Sequence, residues 1–327
     1  HHVPHLELLG ALLRGRREVT STSMSPKAVG KLGPVTSDEE SKRLRQAHKR
    51  RGWVKSTIFH ASSLIVLVVI LYPALWMLMS SFKPTNEIVG SVSLIPTNGS
   101  FANFAKALEG IGGVSFWTFF LNSLFLAVAS VVGVTISCAL SAYAFARIKF
   151  PGRNVFFACM IGTMLLPFHV VIIPQYIVFN NLGMVDTFWP LLIGKFLAAD
   201  AFFVFLMIQF MRGLPPELDE AARIDGAGHV RIFTAIMLPL MKPALVTSSI
   251  FAFIWSWNDF FGPLLYLKNP SMYTMPMALR LYVDQTSVSD YGAQMAMAIL
   301  ALVPVMLFFF AFQKQLVGGV ATQGLKG

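Results

Sequence analysis

Lys195, Asp200 and Asp259 are ionisable groups set inside long apolar runs, where charge is expensive and a polar task is the default expectation. Beside Asp259, the run Trp255-Ser256-Trp257-Asn258-Asp259 joins aromatic faces to amide and carboxylate groups. Such a set can stack on the C–H face of a hydroxylated ring and hydrogen-bond its hydroxyls, although an aromatic belt at a membrane interface has the same composition. Trp257, Asn258, Asp259, Lys195 and Asp200 are therefore the candidate pathway residues. Lys195 and Asp200 do not have the i, i+4 spacing of a helical ion pair, so direct pairing stays open: both line a polar cavity, or they pair structurally, or Lys195 simply extends its amine to the interface.

A second kind of chemistry, mechanical rather than covalent, is written in Glu220-Ala221-Ala222-Arg223-Ile224-Asp225-Gly226 and its continuation Ile236-Met237-Leu238-Pro239. The stretch is a polar interval between two apolar runs, so in a membrane protein it meets water. Pro215-Pro216 starts a short helix, Glu217, Asp219 and Glu220 complement its positive end, and Gly226 or Gly228 ends it. Leu218, Ala221, Ala222 and Asp225 share one face at i, i+3, i+4 and i+7, whose centre carries only methyl groups. A helix this short is marginal alone and needs something to hold it. It reads either as a docking surface or as a turn joining two membrane helices.

The elements that must carry these residues are apolar. The 327-residue chain is 55% hydrophobic and 13% charged, with 29 Phe, far from soluble composition. Its net charge of +10 raises nucleic acid as a partner, but the basic residues sit in loops between apolar runs and do not interleave with aromatics on one soluble face, so none is expected. Cys138 and Cys159 lie inside apolar runs and imply no disulfide. Each of the runs Thr57–Phe82, Phe116–Ala146, Val155–Phe179, Phe188–Met211, Pro243–Leu267 and Tyr291–Leu316 reaches the roughly 20 residues a bilayer core requires. The expected division is a basic amino-terminal extension (1–56), a six-span domain (57–316) with a cytoplasmic loop at about 212–242, and a glycine-rich tail (317–327). Lys42, Arg43, Arg45, Lys49, Arg50, Arg51 and Lys55 crowd before the first run, and the loops assigned inside carry more Lys and Arg than the outer set Lys83, Lys106, Lys268 and Arg280. That asymmetry predicts both termini, and the Glu220 loop, on the cytoplasmic side.

Between the spans, Ala129, Gly133, Ser137 and Ser141 form a small-residue stripe for close helix packing, and Pro167, Pro174 and Pro304 predict kinks. The longest outer loop, Lys83–Ser115, reads as a small folded cap. No phosphate-cradling loop occurs: Gly30-Lys31 is followed by Leu32 and Gly194-Lys195 by Phe196. No metal-ligand spacing, catalytic triad or paired catalytic carboxylates are recognisable, so catalytic and metal sites are expected to be none and the chain is not read as an enzyme.

The order Glu-Ala-Ala, three residues, Gly, nine residues, Ile, one residue, Leu-Pro resembles the signature of the membrane subunits of binding-protein-dependent ABC importers. Ser81-Phe82-Lys83-Pro84 with Glu87, then Asn103-Phe104, Ala107-Leu108, and Trp257-Asn258-Asp259-Phe260 with Pro263-Leu264 look like the carbohydrate-type, maltose permease-like branch. The ending Thr322-Gln323-Gly324-Leu325-Lys326-Gly327 departs from that branch's Gly-Ala-Val-Lys-Gly. The resemblance implies an all-α membrane protein with the six-helix type I importer fold, multi-pass in a bacterial or archaeal inner membrane. It makes Glu220, Ala221, Ala222, Asp225 and Gly226 the coupling residues. Its partners would be two ATP-binding subunits that hold ATP and Mg, a second homologous permease subunit, an extracytoplasmic solute-binding protein, a sugar and membrane lipid; this chain itself would bind no cofactor. The alternatives are an importer permease for another solute, such as glycerol phosphate, or an ion-coupled secondary carrier, although no internal repeat supports the latter.

Overall fold

The computed structural model describes residues 38–90, 93–283 and 289–324, and among these it is helical without a sheet. Contacts divide the chain at Ile70: the first unit's described part is the beginning of helix α1 (Asp38–Ser80), and the second unit, from Leu71, holds the rest. The amino-terminal extension expected over 1–56 lies outside the described residues as far as 37 and is helical from Asp38. Short helices α2 (Thr85–Gly90) and α3 (Ala102–Glu109) precede the long α4 (Phe116–Arg147). There follow α5 (Arg153–Met164), α6 (Phe168–Asn181), α7 (Trp189–Phe196), α8 (Ala201–Arg212) and α9 (Glu217–Ile224). The remainder is α10 (His229–Leu240), α11 (Lys242–Trp257), α12 (Phe261–Tyr266), α13 (Met275–Leu281) and α14 (Tyr291–Gly324).

Among the described residues, four stretches are long and apolar enough to cross a membrane: Ser56–Ser80, Phe116–Arg147, Trp189–Arg212 and Tyr291–Gln313. Two helix pairs raise the number to six if each counts as one span, α5 with α6 at a bend of 104° and α10 with α11 at 75°. The first bend falls at Pro167, which lacks an N–H and opens α6, so the predicted kink is a full change of direction. Pro174 and Pro304 stay inside helices. The expected continuous run Pro243–Leu267 is corrected: α11 stops at Trp257 and α12 is a separate short helix. The tail expected from 317 is helical through Gly324.

Helix α4 lies in both hydrophobic cores. One gathers Val134, Cys138, Phe203, Met207, Ile208, Met237 and Met241, the other Phe119, Ala127, Phe253, Trp257, Met275 and Met297. At two places the small-residue stripe meets α7: Ser137 Oγ donates to the Lys195 carbonyl at 2.7 Å, and a Cβ on Gly133 would sit 3.0 Å from Phe196 and 3.1 Å from Lys195. Only small side chains permit that approach.

The described residues of the 83–115 loop form a folded cap. Asn103 Nδ2 donates to the carbonyls of Ser81 (2.9 Å) and Lys83 (2.7 Å), and Phe82, Phe101 and Phe104 cluster. Lys83 is fully buried with its amine on the Ser93 carbonyl. Glu87 accepts the Thr97 N–H at 3.0 Å, and that bond holds its carboxyl below the usual range. Asp290 ties the cap to α14, accepting from Thr85 and pairing with Lys106 at 2.9 Å.

Candidate docking site and span-interior polar groups

Two prolines, three acids and one glycine shape α9. Pro216 precedes Glu217, and Glu217, Asp219 and Glu220 occupy the first turn, where the dipole favours negative charge. At the other end Gly226 sits at φ +82°, a conformation that costs a side chain but not glycine. Gly226 N–H then reaches the Arg223 carbonyl at 3.0 Å and Ala227 N–H the Ala222 carbonyl at 2.9 Å, the paired bonds of a Schellman motif.

What holds the helix is Arg147, the last residue of α4, whose side chain is 8% exposed. Its Nη2 donates to the carbonyls of Met211 (2.8 Å), which also accepts the Leu214 N–H (3.1 Å), and Leu214 (2.9 Å), just past the end of α8. Its Nε lies 3.4 Å from Asp219 Oδ2, an ion pair too long for a hydrogen bond, and Asp219 Oδ1 is buried without a hydrogen-bond partner among the described residues. One turn earlier on α4, Tyr143 Oη lies 3.3 Å from His229 Nδ1 and its ring packs on Phe233. The last two turns of α4 thus grip the segment on both sides of α9.

That grip fixes which face of α9 is presented. Asp219 and Ala222 turn inward, so Ala222, expected to dock, is corrected: it belongs to the chain's own core. The expected face was centred between Ala221 and Ala222; the burial of Asp219 rotates it toward Glu217, Glu220, Ala221 and Ile224. Glu220, Ala221, Asp225 and Gly226 are exposed as expected. Ile224 is 86% exposed and Val230 78%, large apolar side chains in a polar loop, and their exposure points to a partner. Ile224 is legible in the sequence as the i+4 neighbour of Glu220 and i+7 of Glu217, a face that the grouping of Leu218 with Ala221, Ala222 and Asp225 leaves out.

The span-interior residues divide. Lys195 Nζ and Asp200 Oδ2 pair at 2.8 Å although their spacing argues against it, because the helix breaks between them: α7 ends at Phe196, and Ala198 takes φ +53°. Trp257 is corrected as a pathway residue. It is 2% exposed, parallel to Phe253 at 5.8 Å, and donates Nε1–H to the Ala301 carbonyl at 3.2 Å. Asn258 and Asp259 occupy the break after α11. Asn258 Nδ2 donates to the Ile254 carbonyl at 2.8 Å, and Asp259 Oδ1 accepts the Gly262 N–H at 3.1 Å, capping α12. Asn258 remains exposed, whereas Asp259 is partly buried. Among the described residues no three His, Cys, Asp or Glu side chains converge as a metal site.

Gly262 keeps this break closed. A Cβ there would lie 2.5 Å from Asp259 Oδ2 and 2.9 Å from Leu191 Cδ2. Gly262→Ala is expected to displace the Asp259 cap and destabilise the chain by about 1–3 kcal/mol. Thermal unfolding in detergent reads the change, and an unaltered midpoint counts against the assignment.

Residues 133–321 match the family model described as "Binding-protein-dependent transport system inner membrane component". The diacetylchitobiose uptake system permease protein NgcG of Streptomyces coelicolor is 33% identical over 81% of this chain and 87% of its own length. The sn-glycerol-3-phosphate transport system permease protein UgpE of Brucella abortus is 33% identical over 82% and 96%. A crystal structure of a bacterial ABC transporter involved in the import of the acidic polysaccharide alginate contains a chain that superposes with a TM-score of 0.70 at 24% identity, covering 82% of this chain and 97% of that one; it shows a shared fold.

Proposed function

Since this chain belongs to the family of binding-protein-dependent transport system inner membrane components, and is thus a multi-pass permease subunit of an ABC importer rather than an enzyme, we propose that it passes a sugar or oligosaccharide to the cytoplasm. In this reading, energy comes from ATP and Mg held by two separate ATP-binding subunits, a second permease subunit completes the pathway, and a solute-binding protein delivers the sugar outside. Both termini and α9 face the cytoplasm.

The observation that carries the reading is a rigidly backed but outwardly bare α9. Glu217, Glu220, Ala221 and Ile224 point away from the chain, while Arg147 and Asp219 tie the helix to α4 and the end of α8. A push on such a helix is passed on instead of absorbed, because packed interfaces switch between arrangements rather than deform softly. Closure of the ATP-binding dimer against α9 moves α4 and α8 together, and the chain breaks at 197–200 and 258–260 are where spans yield.

Sugar is favoured by the likeness to the diacetylchitobiose permease and by the Trp257-Asn258-Asp259-Phe260 motif, even though Trp257 serves packing. Glycerol phosphate is the second reading, on the strength of the Brucella relative. Against it, a phosphate asks for an uncommitted cation, and Lys195 is already neutralised by Asp200.

Co-expression of the chain with candidate partners, followed by ATPase assays with the binding protein and a panel of oligosaccharides and glycerol phosphate, tests both levels. ATP-binding subunits that fail to co-purify overturn the importer assembly. Stimulation by glycerol phosphate alone overturns the sugar.

A further inference from the structure

Between α4 and α5 lies a cleft of about 280 Å³ lined by Lys149, Phe150, Gly152, Arg153, Asn154 and Val155. None of these is acidic, and two are cations. Lys149 is exposed and has no hydrogen-bond or ion-pair partner among the described residues. Arg153 commits one contact, Nη1 to the Ile148 carbonyl at 3.5 Å, leaving most of its fork of donors free. One turn along α5 from Arg153, the Phe157 ring carries the guanidinium of Arg212, from the end of α8, 5.0 Å from its centre, which adds a third positive charge. The positive end of α5 contributes to a field these side chains already set.

The surroundings select among anions. Val155 and Phe156, at the start of α5, are large apolar side chains left largely exposed, and α5 with α6 is a bent pair long and apolar enough to enter a membrane. A cation pair directly beside exposed apolar side chains has the composition of the boundary where acyl chains give way to headgroups. A soluble phosphate or an acidic protein surface would satisfy the charges but leave Val155 and Phe156 without an apolar neighbour. We propose that this cleft binds the phosphate of an anionic phospholipid, with Lys149 and Arg153 on the phosphate oxygens and the acyl chains lying along Val155 and Phe156.

This site is independent of the transport reading and is tested on the full chain in mild detergent by native mass spectrometry with phosphatidylglycerol and phosphatidylcholine. The wild type is expected to retain phosphatidylglycerol in preference to phosphatidylcholine. Lys149→Gln/Arg153→Gln is expected to weaken that retention roughly tenfold. Lys149→Arg/Arg153→Lys, which keeps both charges, is expected to preserve it, so a general folding defect is recognised. Equal retention by the wild type and the Gln pair overturns the proposal. So does an equal loss in Lys268→Gln/Arg280→Gln, two cations elsewhere on the chain, because net charge would then suffice. Displacement of the lipid by millimolar inorganic phosphate overturns the lipid assignment in favour of a free phosphate.

Discussion

Arg147→Ala is expected to destabilise the chain by about 3–5 kcal/mol and to uncouple whatever acts on α9. The size follows from burial: the side chains of Arg147 and Asp219 are only 8% and 7% exposed, so removing the guanidinium strands a carboxylate that already lacks a partner on Oδ1. The Leu214 carbonyl loses its side-chain donor at the same time, and the Met211 carbonyl keeps only its backbone bond. Arg147→Lys keeps the charge but not the planar fork that spans two carbonyls and a carboxylate, and should fall between. Arg147→Met/Asp219→Leu removes both charges, so it should unfold at a higher temperature than Arg147→Met alone. Thermal unfolding in detergent measures the series; a double variant no better than Arg147→Met would show that the pair is incidental to the fold.

Substitutions on the exposed side of α9 and at its glycine stop are expected to do the reverse, abolishing uptake while leaving the rest of the chain folded and inserted. Glu220 is exposed and makes no side-chain hydrogen bond among the described residues, so Glu220→Lys should leave insertion and melting unchanged while reversing the charge offered to a partner. Gly226→Asp acts on conformation. No atom lies within 4 Å of a Cβ built there, so nothing clashes, but φ +82° costs an ordinary L-residue such as Ala about 1–2 kcal/mol and Asp or Asn less, and any such strain loosens the Schellman bonds behind Ala222. Asn tolerates the left-handed region better than Ala, so Gly226→Asn should transport more than Gly226→Ala if backbone strain is the cause. Uptake by the assembled transporter, normalised to inserted protein, decides this. Wild-type rates for Glu220→Lys would remove α9 as the coupling surface.

These two expectations come from opposite faces of one eight-residue helix, and the sequence reading separated them incompletely. Helical periodicity put Ala222 beside Ala221 on a single docking face. Periodicity says which residues share a side, but not which side faces inward. That orientation was decided by Arg147, far away in the chain, acting on Asp219.

The apolar runs, the folded cap, the bend at Pro167 and the glycine stop at Gly226 were determined by the sequence itself, because apolar length, missing N–H groups and left-handed caps act over one residue or one turn. Tertiary structure alone decided that Lys195 meets Asp200, since the break at 197–200 cancels the helical spacing. It also decided that Trp257 faces Ala301 and Phe253 instead of a solute, and that Ile224 is left bare. Each of these depends on a neighbour brought from elsewhere in the chain, and local pattern carries no record of which neighbour arrives.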